Sequence, residues 1–299
     1  MEVNTAAGTD IVPASTLQRT VGGKDDEVGQ ELRLLFLGCE SQPPYGPYKH
    51  TASLFLDLIV LALEKIGATT HQVILDVYHV SSGQFPPRTA YTEYDGIILP
   101  GSFNSAYDTD PWILTLSKIL QEEVVSKEIP TLGVCFGHQL YAHSIEGGCA
   151  TKCPAGPQAG RKVSKLSPEG QKWLPTSEDL HLFYTHGDMV ASLPPQGRLL
   201  GGNDDVPIQA AIYFSKKDEK KPIAITFQAH PEYASSRAMG LDRTLNQIMQ
   251  AMNEREDISN DELEHAKSDA IEEFENVQKH SIESMVAVGR LLGWFPMDD

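Results

Sequence analysis

Four cysteines among 299 residues are too few for a dense disulfide scaffold. A chain of this length can bury a substantial core without covalent staples, so the cysteines are expected to be thiols in a reduced, cytoplasmic setting. Positive charge is scarce as well: 24 Lys and Arg stand against 41 Asp and Glu, a net charge of −17. Sequence-independent binding to nucleic acid needs Lys and Arg to displace counterions, and an anionic membrane surface attracts the same residues. Neither partner is expected. Long apolar runs are missing too. The longest, Leu54 to Leu63, is interrupted by Asp57, whereas a transmembrane helix needs about 20 apolar residues. No basic stretch followed by an apolar core opens the chain, so no secretory leader is expected.

Residues 1–30 lack helical or strand periodicity and include the polar run Gly22-Gly23-Lys24-Asp25-Asp26-Glu27. They read as a disordered tail. From Leu32 onward apolar strands and helical patterns alternate. Leu32–Leu37, Gln72–Tyr78, Tyr94–Leu99 and Thr131–Val134 read as strands. Residues 50–66, Trp112–Ser126 and His138–Ile145 read as helices, with Gly67 and Gly147-Gly148 as stops. This alternation predicts an α/β fold with an open, mostly parallel sheet flanked by helices. The second half is richer in strands (Leu182–Tyr184, Gln209–Phe214, Ile223–Phe227), followed by a helix over 234–253. Ser259 and Glu262 form a capping-box pattern that opens a C-terminal helical extension over 256–299.

Gly133-Val134-Cys135-Phe136-Gly137 lies where a strand ends and a helix begins. Glycines on both sides of a central nucleophile permit a sharp strand-to-helix turn that lifts the side chain above the sheet edge. A cysteine there sits at a helix N-terminus, where the dipole favours negative sulfur. The competing reading is a buried core thiol. With near-average glycine use the flanking pattern arises by chance in about 0.03 of such sequences. A thiol nucleophile needs a histidine base with its own orienting acceptor. His230-Pro231-Glu232 directly follows a predicted strand. If the chain stays extended, His230 and Glu232 project to the same side at the carboxyl end of that strand, the edge where open α/β sheets bind ligands. Spacing alone serves a turn histidine beside a proline equally well. Cys149 and Cys153 have no companion His or Cys pair at zinc-site spacing, so no metal is expected. Gly201-Gly202-Asn203-Asp204-Asp205 is a turn signal without the features of a phosphate loop. No cofactor is implied.

Thr131–Gln139 resembles the nucleophile motif of class I glutamine amidotransferases, and Thr226–Tyr233 resembles the motif that carries their histidine and glutamate. Ile97–Ser102 with Tyr107-Asp108 resembles the oxyanion loop. Tyr184–Asp188 resembles a segment of the branch close to GMP synthetase amidase domains. The four matches occur in family order, and with the flanking elements the resemblance covers residues 31–255. It implies a flavodoxin-like amidotransferase fold with Cys135 as nucleophile, His230 as base and Glu232 as its orienter. It also implies an oxyanion hole at Gly101, Ser102 and Phe136, and a glutamyl pocket touching Gln139, His186 and Asp188. The sequence departs from the pattern at Gly101-Ser102, where Gly-Gly is usual. It departs again at Pro157-Gln158-Ala159-Gly160, where an acidic residue is common.

The resemblance implies hydrolysis of a γ-glutamyl amide through a γ-glutamyl thioester. Glutamine is the default substrate, with ammonia passed to an acceptor, and the residues outside the family core are too few for an ATP-dependent module. A synthase partner protein would then be required. The alternatives are a γ-glutamyl hydrolase acting on γ-glutamyl peptides or glutathione conjugates, and a catalytically silent regulatory module on the same fold.

Overall fold

Leu34, Leu35, Phe36 and Leu37 are all fully buried. A strand in the middle of a sheet covered on both faces has no solvent side, and so its sequence reads as an unbroken apolar run. The computed structural model describes residues 12–21, 30–68, 71–174 and 179–297. In chain order the elements are β1 (Ser15–Thr20), β2 (Gln30–Leu37), α1 (Tyr48–Lys65), β3 (His71–Tyr78), β4 (Gly96–Leu99), α2 (Pro111–Ile119), β5 (Thr131–Val134) and α3 (Phe136–His143). Next come β6 (Cys149–Lys152), β7 (Gln158–Leu166), α4 (Pro168–Trp173), β8 (Leu180–His186), β9 (Asp188–Ser192), β10 (Gly197–Gly202), β11 (Ala210–Phe214) and β12 (Pro222–Phe227). The chain closes with α5 (Asn246–Glu254), α6 (Asn260–Glu272) and α7 (Phe274–Leu291).

A 10-stranded sheet runs in the order β1-β3-β2-β4-β5-β12-β11-β10-β7-β8, and β6 pairs separately with β9. The strands β3, β2, β4, β5 and β12 are mutually parallel. β1 at one edge and the strands from β11 to β8 at the other are antiparallel to their neighbours. The sheet is therefore mixed, not mostly parallel. Parallel pairing needs a long crossover, usually a helix, and no helix separates β8 from β12.

The reading of residues 1–30 as a disordered tail is corrected at 15–20, which form β1 and pair with β3 from Ser15↔Val77 to Thr20↔Gln72. Residues 1–11 and 22–29 lie outside the described part. Only Leu17 of β1 is buried, so this edge strand carries no apolar pattern to be read. Its anchor is polar. The fully buried Asp76 of β3 accepts from Thr16 Oγ1, from Arg33 Nε at 2.9 Å and from the Tyr94 hydroxyl at 3.2 Å. Asp76→Ala is expected to cost about 2 kcal/mol, because Arg33 is half exposed and regains water when the carboxylate goes. Urea unfolding measures this; a loss below about 0.5 kcal/mol would show that the cluster does not hold the edge.

α1 and α7 cover one face of the sheet. Phe55, Leu58, Ile59, Met285 and Trp294 meet Leu34, Phe36 and Val73 there. α2 and α3 cover the other, where Ile113, Leu116 and Leu140 pack on Leu35, Ile97 and Leu99. α1 stops in a Schellman turn at Gly67 (φ +71°), with Ala68 N–H donating to Leu63 O at 3.0 Å. The helix expected over Trp112–Ser126 is α only to Ile119 and continues as a π turn, Leu120–Val125. Likewise a π segment, Arg237–Leu245, precedes α5.

The C-terminal helices are present, and the Ser259–Glu262 capping box forms. They are not an appendage, however. Trp294 Nε1 donates to Asp95 O at 3.0 Å, and a side chain at Gly96 would overlap the indole. Removing this segment would uncover one face of the sheet. The chain around 256–299 reads as peripheral only because amphipathic spacing does not say which surface a helix covers.

Candidate active site

Because β2, β4, β5 and β12 are parallel neighbours, their carboxyl ends lie along one edge. Four loops meet there: Gly38–Pro47 after β2, Pro100–Phe103 after β4, Cys135 after β5 and Gln228–Glu232 after β12. The chain leaves β2 for β3 on one side and returns to β4 on the other, the kind of switch point that opens a crevice.

Cys135 has φ 52° and ψ −108°, outside the regions an L-residue prefers. Three backbone bonds hold it there. Cys135 N–H donates to Phe227 O at 2.8 Å, Gln139 N–H to Cys135 O at 3.0 Å, and Gly137 N–H to Pro100 O at 3.1 Å. The flanking glycines are steric requirements. A Cβ at Gly133 would stand 2.8 Å from Gly137 O and 2.9 Å from Thr226 Cγ2, and one at Gly137 would overlap Leu99 O.

His230 and Glu232 are buried, and His230 Nδ1–H donates to Glu232 Oε1 at 2.7 Å. The chain does not stay extended here, as the spacing argument assumed: Pro231–Ala234 is a 3₁₀ turn that curls the carboxylate back to the imidazole. Tyr233 stacks on the His230 ring at 4.3 Å with planes 3° apart, which fixes the ring's tilt. The other ring nitrogen, Nε2, has no hydrogen-bond partner within bonding distance among the described residues. The ring lies beside Cys135: a Cβ at Gly101 would sit 2.9 Å from His230 Cε1 and 3.5 Å from Cys135 Cβ. Only glycine fits between them. Burial alone disfavours a charged imidazole, but the Glu232 carboxylate and Cys135 outweigh it and raise His230 to about 10.

At the predicted oxyanion hole, Phe136 is the first residue of α3, so its N–H has no partner within the helix. Ser102 is buried at the adjacent loop, its hydroxyl engaged with Asn104 Oδ1 at 3.3 Å. Neither backbone N–H forms a hydrogen bond among the described residues. Phe103 N–H donates to the buried Glu40 carboxylate at 3.3 Å, which ties this loop to the one after β2.

Gln139, His186 and Asp188 also come together. Gln139 Nε2 donates to Asp188 O at 3.0 Å and to Gln228 Oε1 at 3.1 Å, and His186 Nδ1–H donates to Asp188 O at 2.8 Å. The Asp188 carboxylate accepts from the Tyr107 hydroxyl at 2.8 Å. Burial lowers His186 to about 3, so it is neutral and unsuited to be the base. His138 is likewise neutral, lowered by burial to about 4, and bridges Thr226 Oγ1 and Ile208 O.

Cys135, Ser102, Gln139, His186 and Asp188 line a cleft of about 390 Å³. Tyr45, Phe103, Lys152, Met252 and Arg255 line it as well, and sequence reasoning missed them. Tyr45 is legible only through its place at the end of β2, the edge rule that flagged the other loops. Burial and the neighbouring Cys135 and Glu40 push its hydroxyl well above the ordinary range, so it is a proton donor. Among the described residues no helix is long and apolar enough to cross a membrane, and no group of three or more His, Cys, Asp or Glu is placed to hold a metal.

A cysteine on a strand–turn–helix elbow beside a histidine oriented by a carboxylate, with two unengaged N–H groups, is the arrangement that nucleophilic cysteine chemistry requires. The sequence profile of class I glutamine amidotransferases matches residues 54–247, and the chain belongs to that family. It is 28% identical over 204 residues to gamma-glutamyl peptidase 2 of Arabidopsis thaliana, an alignment covering 67% of this chain and 75% of the relative. It is 30% identical over 138 residues to GMP synthase of Streptococcus thermophilus, 46% of this chain but 24% of that enzyme. In fold it resembles a glutamine amidotransferase from Thermotoga maritima, with a TM-score of 0.62 and 18% identity over 87% of this chain and 98% of the other.

Proposed function

We propose that the protein is a γ-glutamyl hydrolase whose substrates are γ-glutamyl peptides. The reading rests on one observation: the cleft that holds Cys135 and Gln139 is walled also by Phe103, Met252 and Arg255, more lining than a glutamyl group needs. Glutamine releases only ammonia and needs no such space. A γ-glutamyl peptide releases an amino acid or peptide and does. The likeness to an Arabidopsis gamma-glutamyl peptidase supports the same choice.

In this mechanism the glutamyl half occupies the end of the cleft near Gln139 and Asp188. Cys135 Sγ attacks the γ-carbonyl carbon with the proton of the Cys135–His230 pair already on His230, whose charged ring Glu232 stabilises. The Ser102 and Phe136 N–H groups hold the carbonyl oxygen as it becomes an oxyanion. The C–N bond breaks as His230 delivers its proton to the leaving amine. Water then attacks the thioester, His230, neutral after giving up its proton, takes one from the water, and glutamate leaves as the C–S bond breaks with the proton kept on His230.

The test is glutamate release from γ-glutamyl dipeptides, glutathione and glutamine supplied in parallel. The expected result is a kcat/KM for the peptides at least tenfold above that for glutamine. Turnover of glutamine alone would favour an amidotransferase that passes ammonia to a partner. No turnover and no binding of any of them would favour a silent module.

A further inference from the structure

Beyond the oxyanion loop the cleft wall changes character. Phe103, one residue past Ser102, is partly exposed. The Tyr45 ring holds it edge-on from one side, with centroids 4.7 Å apart. From the other side the Arg255 guanidinium lies over its ring at 4.9 Å. Arg255 comes from the C-terminal end of α5, outside the segment 54–247 shared with the family.

The backbone is bent to put it there. Asp257 N–H donates to Met252 O and Glu256 N–H to Asn253 O, a Schellman turn whose left-handed position is Glu256 at φ 63° instead of a glycine. That conformation costs an L-residue free energy. It returns Asp257 to Arg255, where one carboxylate oxygen, Oδ2, accepts from Nε at 2.9 Å and forms an ion pair with Nη2 at the same distance. Arg255 Nη1 remains without a partner among the described residues, and the side chain is 48% exposed. A guanidinium has five donors, so it can take a second carboxylate without releasing the first. Asp257 lines the cleft too, and the other charged groups on its wall are Glu256, Lys152 and Asp188. Lys152 and Asp188 are cross-strand partners at the Gln139 end.

We propose that Arg255, seated on Phe103, is the specificity residue for the leaving half of the substrate and binds the carboxylate of the amino acid released from a γ-glutamyl dipeptide. This rests on the γ-glutamyl peptidase reading above. Glutamine has no group to reach Arg255. A dipeptide with a free C-terminal carboxylate does, and the Phe103 ring supplies an apolar floor for its side chain.

The experiment compares γ-glutamylglycine with γ-glutamylglycinamide, which differ only in that carboxylate. Each is measured as kcat/KM on the wild type, Arg255→Gln and Arg255→Lys. Each is also measured as calorimetric binding with Cys135→Ala in the background, a readout that needs no turnover. The wild type is expected to prefer the acid about tenfold, as befits one partly exposed charge-assisted contact. Arg255→Gln should bring the ratio near one, and Arg255→Lys, which keeps the charge, should retain a preference of several-fold. Equal handling of acid and amide by the wild type would overturn the proposal. So would a preference that survives in Arg255→Gln; in either case peptide turnover itself leaves the peptidase reading intact. Turnover and binding of glutamine alone would overturn both.

Discussion

Replacing Cys135 by alanine is expected to lower turnover of every γ-glutamyl substrate by ~10⁴-fold or more, because among the described residues no other cysteine lines the cleft to form the thioester. Of the remaining cysteines, Cys39 and Cys153 are buried, and Cys39 donates to Leu37 O. Burial pushes the Cys39 thiol well above the usual range, which leaves it inert. The variant should fold normally, since Cys135 is held by backbone bonds that alanine also forms. It should also report on the elbow itself. The φ of 52° strains alanine as much as cysteine. Cys135→Gly should therefore be the more stable of the two inactive variants, by about 1 kcal/mol. Thermal unfolding of the pair checks this. Equal stability would mean that the elbow is not strained, and residual turnover within tenfold of wild type would remove Cys135 as the nucleophile.

Glu232→Gln is the second large effect, with an expected loss of ~10²–10⁴-fold in kcat. An amide still fills the site, but it no longer compensates a buried imidazolium, and it can select the wrong tautomer. The pH dependence separates this role from simple structural damage. In the wild type burial disfavours the charged ring, yet Glu232 and Cys135 raise His230 to about 10. An unfolded histidine titrates near ~6.5. The folded value is thus the higher, so the stabilisation from the charged pair is fully present below pH ~6.5 and is lost as pH rises through about 10. The melting-temperature gap between wild type and Glu232→Gln should be full below pH ~6.5 and shrink steadily as the pH rises towards about 10. The alkaline limb of kcat/KM should move to lower pH in the variant, since its His230 surrenders the proton needed by the leaving amine more readily. An unmoved limb, with less than tenfold loss of activity, would show that Glu232 does not hold the base.

Much of the site was legible because its chemistry is local. The elbow carries its glycines two residues either side of Cys135, although the atoms that exclude a Cβ there include Thr226 and Leu99 of neighbouring strands, and the carboxylate is two residues from its histidine. Even so, the reason for the second pairing differed from the one inferred. A 3₁₀ turn, not an extended strand, brings Glu232 to His230, and the spacing of two is compatible with both. Tyr45 and Glu40 escaped notice because a loop residue carries no periodicity, and their roles depend on strand order in the sheet.

The alternation of apolar strands with amphipathic helices was enough for an α/β sheet, and the ordered motifs were enough for the family. Local sterics and hydrogen-bonding distances along the chain impose both. Tertiary structure alone settled that residues 15–20 are an edge strand, that α7 covers the sheet, and that Arg255 overlooks the cleft. Each of these rests on a contact between residues far apart in sequence: Thr16 with Asp76, Trp294 with Asp95, and Arg255 with Phe103. Short-range propensity does not encode which distant surface an element will meet; burial and polar satisfaction across the whole chain decide it.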